Sequence, residues 1–574
     1  TLDLGCLRHN FLRTQKDHRH MTRKKNILFI MFDQLRFDYL SCAGHPHLHT
    51  PNIDWLASQG VRFERCYVQS PVCGASRMSF YTGRYISSHG AAWNGMPLKV
   101  GELTLGDHLR EAGMDALLVG KTHMKADVAG MKRLGLALDS IIGARLSECG
   151  FDIVTRDDGL WAEGPDGNYD ERESPYNAYL REKGYEGDNP WHDFANAGIE
   201  EDGSIASGWI YSNGGKPANI REEDSETPWL TREMIRFMEE DAPDRDRPWM
   251  CHLSYIKPHW PYIVPAPYHD MYGPNSFIPV VRDARELEDQ NPVYAAFSGN
   301  VIGQAFKRDD VRNAALGAYM GLIKQIDDQM GVLFDYLRDS GQLENTVIAV
   351  TSDHGDYMGD HWLGEKDLFH EPSVKVPLII YDPSPEANAT RGTVCDALVE
   401  SIDLVPTFVE MAGGAPRDEH LEGLSLVPFL HGEAPERWRD FVVSEYDYSM
   451  TAMAATMGVN AKDARLFMLF DGRWKLTHSE GGMPPMLFDL ETDPNELVDL
   501  GRDPAYEGQR RACYDRLGEW ARRCAQRNTM SDEEIVSLRG KSRRKGIVLG
   551  MADPSAADPE LTVRYSGKTK QRFV

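Results

Sequence analysis

The sequence predicts an α/β fold, a large, mainly parallel sheet flanked by helices, followed by a smaller α+β domain with an antiparallel sheet. Three observations carry this. Short, continuous apolar runs such as "NILFIMF" (26–32) end in a polar residue, here Asp33, as strands buried on both faces of a parallel sheet do. These runs alternate with helical stretches bounded by start and stop residues. From about residue 440 the texture changes to short strands joined by turns. The chain has 574 residues. A single core stops growing at roughly 250–300 residues, so at least two domains are expected.

In chain order, residues 1–20 hold no apolar stretch of the kind a secretory signal requires. Met21 in "MTRKKNILFI" reads as a natural start, so 1–20 is a leader of unknown role. After the first strand, "TPNIDWLASQG" opens on Thr50 and Pro51 and stops at Gly60, which are helix start and stop signals. "VRFERCYV" reads as extended, and "LTLGDHLREAG" then "MDALLVGK" as helix and strand. The pattern returns in "PWMCHLSYI" (248–256), a long helix from about Asp309 to Leu337, "TVIAVTSD" (346–353) and "VPLIIYD" (376–382). Between them, about 150–230 is polar and without periodicity, and is expected to form loops over one edge of the sheet. The catalytic unit is thus placed at 21–440. A second unit, 441–526, is expected from "FVVSEYDYS", "RLFMLFDGRWKLTHS" and "MLFDLETDPNE", with "DGR" as a hairpin turn and a helix at about 505–526. The tail, 527–574, is expected to serve oligomerisation, as a dimer or tetramer, through "GKSRRKGIVLG" and "LTVRYSG".

Composition excludes several classes of function. A formal net charge of -25 argues against nucleic acid, whose phosphates require a basic face. No apolar run approaches the ~20 residues that cross a bilayer, so no membrane is expected. Nine cysteines, Cys6, Cys42, Cys66, Cys73, Cys149, Cys251, Cys395, Cys513 and Cys524, are odd in number and lack C-x-x-C pairs. They read as neither a disulfide framework nor a zinc site, and the protein is expected in the cytoplasm. The acidic balance does not forbid an anionic substrate, because distant surface charges are screened within about 8 Å at physiological salt.

Sites in open α/β sheets form outside the carboxyl ends of the strands. Asp33 and Gln34 end the first strand, Asp353 and His354 end "TVIAVTSD", and Cys73 lies between an extended segment and a helix. Carboxylate, amide and imidazole donors suit a divalent cation such as calcium or manganese, whereas a thiolate is a soft ligand poorly matched to calcium. Cys73 therefore reads as a precursor oxidised to an oxygen-bearing group.

"CGASRMSFYTGRY" (73–85) resembles the signature of the sulfatase family within the alkaline phosphatase superfamily. Further matches are "NILFIMFDQLRFDYL", "GKTH" (120–123), "KPHWPY" (257–262), "TSDHGDYMGDHWLGEKDLFHEPSVKVPLII" (351–380), "DGRWKL" and "LFDLETDPNEL". The resemblance implies an alkaline-phosphatase-like fold and a formylglycine made from Cys73 by a formylglycine-generating enzyme. Its hydrate would attack the sulfur of a sulfate ester and pass through a covalent sulfated hemiacetal. Asp33, Gln34, position 73, Asp353 and His354 would hold one divalent metal ion, calcium or manganese. Arg77 would hold the diol, and Lys121 and Lys366 the non-bridging oxygens. His259 would act as general acid, with Lys366 competing, and His123 would take the second diol proton. Asn94 is a weaker candidate for contact with the ester, since "NG" also reads as a turn.

Taken singly, Lys121 and Lys366 read as surface lysines, His123 and His259 as structural histidines, and Arg77 as a local ion pair. Two positions depart from the commonest pattern. Ala75 replaces proline in the cysteine motif, and Gln34 stands where many sulfatases have aspartate. Asp-Gln with Asp-His resembles the phosphonate monoester hydrolase branch, but Lys121 and His123 resemble ordinary sulfatases. Sulfate offers three non-bridging oxygens and a phosphonate two, so the extra donors favour sulfate. The sequence is therefore read as a sulfuric ester hydrolase of arylsulfatase type. Phosphonate monoester or phosphate diester hydrolysis is the alternative, and a non-catalytic relative with a free thiol the third reading.

Overall fold

The computed structural model describes residues 24–159, 174–435, 437–523, 529–539 and 555. The leader, Cys6, Cys524 and both tail segments named above lie outside the described residues.

Fourteen strands occur among the described residues: β1 (Asn26–Asp33), β2 (Val61–Tyr67), β3 (Asp115–Gly120), β4 (Asp152–Arg156), β5 (Ala197–Ile199), β6 (Ile205–Ser207), β7 (Trp249–Pro258), β8 (Thr346–Ser352), β9 (Lys375–Tyr381), β10 (Thr393–Glu400), β11 (Val442–Asp447), β12 (Arg465–Phe470), β13 (Trp474–Ser479) and β14 (Met486–Asp489). Eight of them form one sheet in the order β10-β2-β9-β8-β1-β7-β3-β4. β1 lies centrally between β8 and β7, parallel to both, and is apolar from Ile27 to Phe32 because helices cover both faces. One of these is the long helix, Asp309–Asp339, which buries Leu316, Ile323, Ile326, Met330 and Leu333 in the same core as Leu28, Ile30 and Phe32.

The sheet departs from the expected direction at one strand. β9 runs antiparallel to both β8 and β2. The connection 353–374 therefore leaves the carboxyl end of β8 and re-enters at the same edge, so both its ends serve the same site. The stretch at 150–230 is also more ordered than its polarity suggests. It supplies the edge strand β4, the hairpin β5–β6, and the helices Pro175–Glu182 and Glu226–Arg236. β10 is an edge strand half open to solvent, which weakens its pattern.

β11 to β14 form a separate four-stranded antiparallel sheet. β12 and β13 are joined by the turn expected at Asp471-Gly472-Arg473, with Gly472 at φ 93. The helix Glu507–Arg522 packs Cys513, Leu517 and Trp520 onto Val443, Leu469, Leu476 and Leu487. The two sheets are tied together by Lys475, buried between Glu371 at 2.7 Å and Glu496 at 2.8 Å. The seven cysteines among the described residues are all free. Among those residues no helix is long and apolar enough to cross a membrane.

Candidate active site

The carboxyl ends of four strands, β1, β8, β3 and β7, meet at one edge of the large sheet. β1 pairs with β8 in the register Phe32↔Ser352, which sets Asp33 beside Asp353 where the two strands stop. Both carboxylates are fully buried, as is His354. β3 ends in Gly120 at φ 110, against Ser254 of β7. A Cβ at that glycine would lie 2.1 Å from the Ser254 carbonyl oxygen, so only glycine lets the chain turn there and deliver Lys121. Lys257 and His259 stand at the end of β7.

The first helix, α1 (Pro51–Gln59), precedes β2, and Cys73 opens the second, α2 (Cys73–Thr82), whose every residue is buried. Its polar side chains are satisfied internally: Ser76 Oγ donates to the Asp353 carbonyl at 2.6 Å, and Tyr81 Oη lies 2.9 Å from His252 Nε2. Gly74 donates its N–H to Asn94 Oδ1 at 2.8 Å, and a Cβ at position 74 would strike that oxygen at 2.7 Å. Asn94 thus holds the start of the helix and occupies the "NG" turn as well, with Gly95 at φ 82.

Arg77 lies one turn into α2. Its guanidinium donates to Asp353 Oδ2 at 2.7 Å, Asp33 Oδ2 at 3.2 Å, Ser254 Oγ at 2.7 Å and the Lys121 carbonyl at 3.0 Å. Lys121 Nζ reaches Asp33 Oδ2 at 2.6 Å and is only 5% exposed, so it is not a surface lysine. Lys366 Nζ stands 2.9 Å from Cys73 Sγ, 3.1 Å from His259 Nε2, 3.3 Å from Gln34 Oε1 and 3.4 Å from His354 Nε2. His354 Nε2 is 3.0 Å from Cys73 Sγ. His123, at φ 55, has a buried Nδ1 with no hydrogen-bond partner among the described residues, and its backbone N–H donates to Asp158 at 3.3 Å.

The electrostatics follow from this packing. Burial raises the Asp33 carboxyl, but Lys121, His259, Arg77 and His354 outweigh it and hold the group well below the usual carboxylate range. Burial and Asp33 push the Cys73 thiol up to about 12 against the pull of Lys366. Burial lowers His123 and His259, with Lys121 adding to the first and Lys366 to the second, so both are neutral at pH 7. Lys366 pays a burial penalty, yet Cys73, Asp33 and Glu365 keep its ammonium charged.

The donor set fits a hard divalent ion. Ligand atoms of Asp33, Cys73, Asp353 and His354 lie within 4.8 Å of one another, all buried. His354 Nδ1 faces the Gly355 carbonyl at 2.8 Å, which leaves the Nε2 lone pair for the cluster. Gln34 Nε2 donates to Tyr262 Oη at 3.0 Å and to Asp356 Oδ2 at 2.5 Å, turning Oε1 the other way, towards the Lys366 ammonium. A positive charge is already accommodated among these atoms. Asp356 and Tyr262, which fix the amide, are not marked by the sequence reading. Asp356 sits two residues after His354, the one signal that pointed to it.

The sulfatase family model matches residues 25–415, and a model of the N-sulphoglucosamine sulphohydrolase C-terminal region matches 359–522. The multifunctional alkaline phosphatase superfamily protein PehA of Trinickia caryophylli is 32% identical over 508 residues, spanning 85% of this chain and 93% of its own. An arylsulfatase of Clostridium perfringens is 30% identical over 500 residues, spanning 84% and 92%. The solved phosphonate monoester hydrolase of Silicibacter pomeroyi superposes with a TM-score of 0.76 at 27% identity, covering 89% of this chain and 98% of that one. Fold and site thus define a member of the alkaline phosphatase superfamily. Within it, the chain belongs to the sulfatase family.

Proposed function

We propose that the protein hydrolyses sulfate monoesters, in the manner of an arylsulfatase, with a formylglycine made from Cys73 as nucleophile and one calcium or manganese ion as cofactor. The observation that carries the reading is the placement of Cys73, fully buried at the start of α2, within 3.0 Å of both His354 Nε2 and Lys366 Nζ. As a thiol this residue is protonated at neutral pH and a weak nucleophile. A hydrated aldehyde at the same point supplies a hard oxygen nucleophile.

Asp33, Gln34, Asp353, His354 and position 73 would hold the metal, which when bound acidifies the nucleophile and polarises a sulfate oxygen. Arg77 bridges Asp33 and Asp353 and holds the two carboxylates in register. Lys121 and Lys366 bind non-bridging oxygens, contacts that charge assistance makes strong. His259 and Lys366, 3.1 Å apart, flank the leaving oxygen, and Lys366 carries the proton. His123, neutral and with an unpartnered Nδ1, takes the second diol proton so that sulfate is expelled without attack by external water. Asn94 would meet the ester through Nδ2 while Oδ1 holds Gly74.

Phosphonate monoester or phosphate diester hydrolysis is the second reading. It is favoured by Gln34 in the donor set and by the likeness to the Silicibacter pomeroyi enzyme. Mass spectrometry of the peptide holding Cys73 tests the nucleophile: aldehyde is expected, and an intact thiol in active protein refutes it. Rates on an aryl sulfate and a phenyl phosphonate ester, measured on one preparation, separate the readings, with the sulfate expected to be faster. We further assign catalysis to a unit at 21–440 with a smaller one at 441–526, a formylglycine-generating enzyme as partner, a homo-oligomer as assembly and the cytoplasm as compartment.

A further inference from the structure

Non-glycine residues at positive φ are concentrated near the site. Met358, His361, Trp362, Glu365 and Asp367 all fall in the loop between β8 and β9, and Gln34 and His123 belong to the site itself. Glu365, at φ 55, and Asp367, at φ 110, flank Lys366 on either side. Left-handed backbone at two consecutive non-glycine neighbours of one residue persists only where other contacts enforce it.

Those contacts come from two distant parts of the chain. The Glu365 carboxylate accepts a hydrogen bond from the Tyr211 hydroxyl, and Asp367 Oδ1 accepts one from Tyr446 Oη at 2.9 Å. Tyr211 lies in the segment after the β5–β6 hairpin and packs its ring 5.1 Å from Phe306 and 5.8 Å from Tyr262. Tyr446 lies in β11 of the C-terminal sheet, 1% exposed, with its ring 5.6 Å from Trp93 and 6.0 Å from Phe297. Glu365 is fixed at its backbone as well, its carbonyl accepting from Tyr357 N–H at 2.6 Å. Both tyrosines are thus held by rigid surroundings, and each grips a carboxylate adjacent in sequence to Lys366.

We propose that Tyr446 and Tyr211 are positioning residues for the reaction: through Asp367 and Glu365 they hold the strained backbone on both sides of Lys366 and so fix where its ammonium stands. The C-terminal sheet thereby takes part in catalysis without touching the ester. This inference rests on the role given to Lys366 under the proposed function. Releasing either carboxylate lets its residue relax to an ordinary φ, and the ammonium leaves its place beside Cys73.

The test uses the full chain with 4-nitrophenyl sulfate as probe. Tyr446→Phe and Tyr211→Phe are each expected to lower kcat/KM by roughly 10- to 100-fold, the loss typical of a small misplacement of a reacting group. Asp367→Asn keeps an acceptor for Tyr446 and tolerates positive φ, so it is expected to recover most of the activity lost in Asp367→Ala. The decisive measurement repeats both tyrosine changes in a Lys366→Ala background, where they are expected to have no further effect. If either costs the same factor with and without Lys366, it acts elsewhere and the proposal is overturned. Full activity of Lys366→Ala alone overturns the role of Lys366 itself, and is recognised by that single variant. Should Tyr446→Phe fail to fold, Tyr211→Phe carries the same test from an independent element.

Discussion

Replacing Arg77 by leucine is the sharpest probe of how the site is held together. The side chain is fully buried and its guanidinium contacts both Asp33 Oδ2 and Asp353 Oδ2, while also donating to Ser254 Oγ and the Lys121 carbonyl. Leucine fills part of the volume but leaves two buried carboxylates short of a partner. Removing one member of a buried ion pair costs about 3–5 kcal/mol. A chain of this size unfolds with an entropy of about 1.2 kcal/mol/K, which is roughly 1 °C per kcal/mol, so a fall of about 3–4 °C is expected. The assay is calorimetric unfolding in chelator, at pH 7 and again near pH 3. Asp33 is held well below its usual range, burial being outweighed by Lys121, His259, Arg77 and His354. A depressed carboxylate stabilises the fold above its unfolded pKa, and that contribution is lost as pH falls through the folded value, so the difference between wild type and Arg77→Leu narrows in acid. Arg77→Lys restores the charge but cannot fork between two carboxylates, and should recover less than half of the loss. A shift below about 2 °C at pH 7 would show that Arg77 is not what balances the two carboxylates.

Cys73→Ala should abolish turnover of an aryl sulfate while leaving the unfolding midpoint nearly unchanged; residual turnover near the wild-type rate contradicts a covalent route. His123→Ala should let sulfur transfer proceed and accumulate a sulfated peptide around position 73, seen by mass spectrometry after quenching, whereas a simple rise in KM argues against its proton-accepting role. Exhaustive chelation should remove activity and readdition of calcium or manganese restore it; activity that survives chelation excludes a metal role. Away from the site, burial lifts the Glu445 carboxyl from 4.5 to about 7, despite the Ser87 N–H at 3.0 Å. An acid with a raised folded pKa loses stability as pH rises from the unfolded value through the folded one. Glu445→Gln should therefore gain up to about 3 kcal/mol on wild type at pH 8 and little at pH 5. Equal midpoint differences at both pH values would refute it.

The parts of the molecule legible in the sequence are those set by local pattern. Apolar runs closed by Asp33 and Asp353 mark strands that stop at a polar edge, and "DGR" marks a hairpin, because in each case neighbouring residues carry the signal. The direction of β9 is not written locally. "VPLIIYD" reads the same in either sense, and only pairing with β2 and β8 decides it. β4 and β10 are edge strands with one partner each, and their half-exposed residues dilute the pattern. The site divides in the same way. Cys73, Lys121 and His259 stand beside strand ends or a helix start, Arg77 one turn into that helix and Lys366 within the β8–β9 loop, and the structure brings them together. Tyr262 and Asp356 lie inside matched motifs, but their grip on Gln34, like those of Tyr211 on Glu365 and Tyr446 on Asp367, spans residues far apart in the chain, which local pattern does not record.

The complete enclosure of α2 also imposes an order of events. Cys73 has no exposed surface, and the nine residues after it are equally sealed, with β11 stitched across the approach where Glu445 N–H meets the Gln69 carbonyl at 2.8 Å. Were Cys73 converted as proposed, the modifying enzyme would need access to a side chain that the folded protein does not expose. On the proposed conversion of Cys73, oxidation would have to precede closure of this helix, and molecules that fold first would keep the thiol. The yield of competent enzyme would then depend on timing during synthesis, and a brief unfolding step in the presence of the oxidising enzyme would reset it.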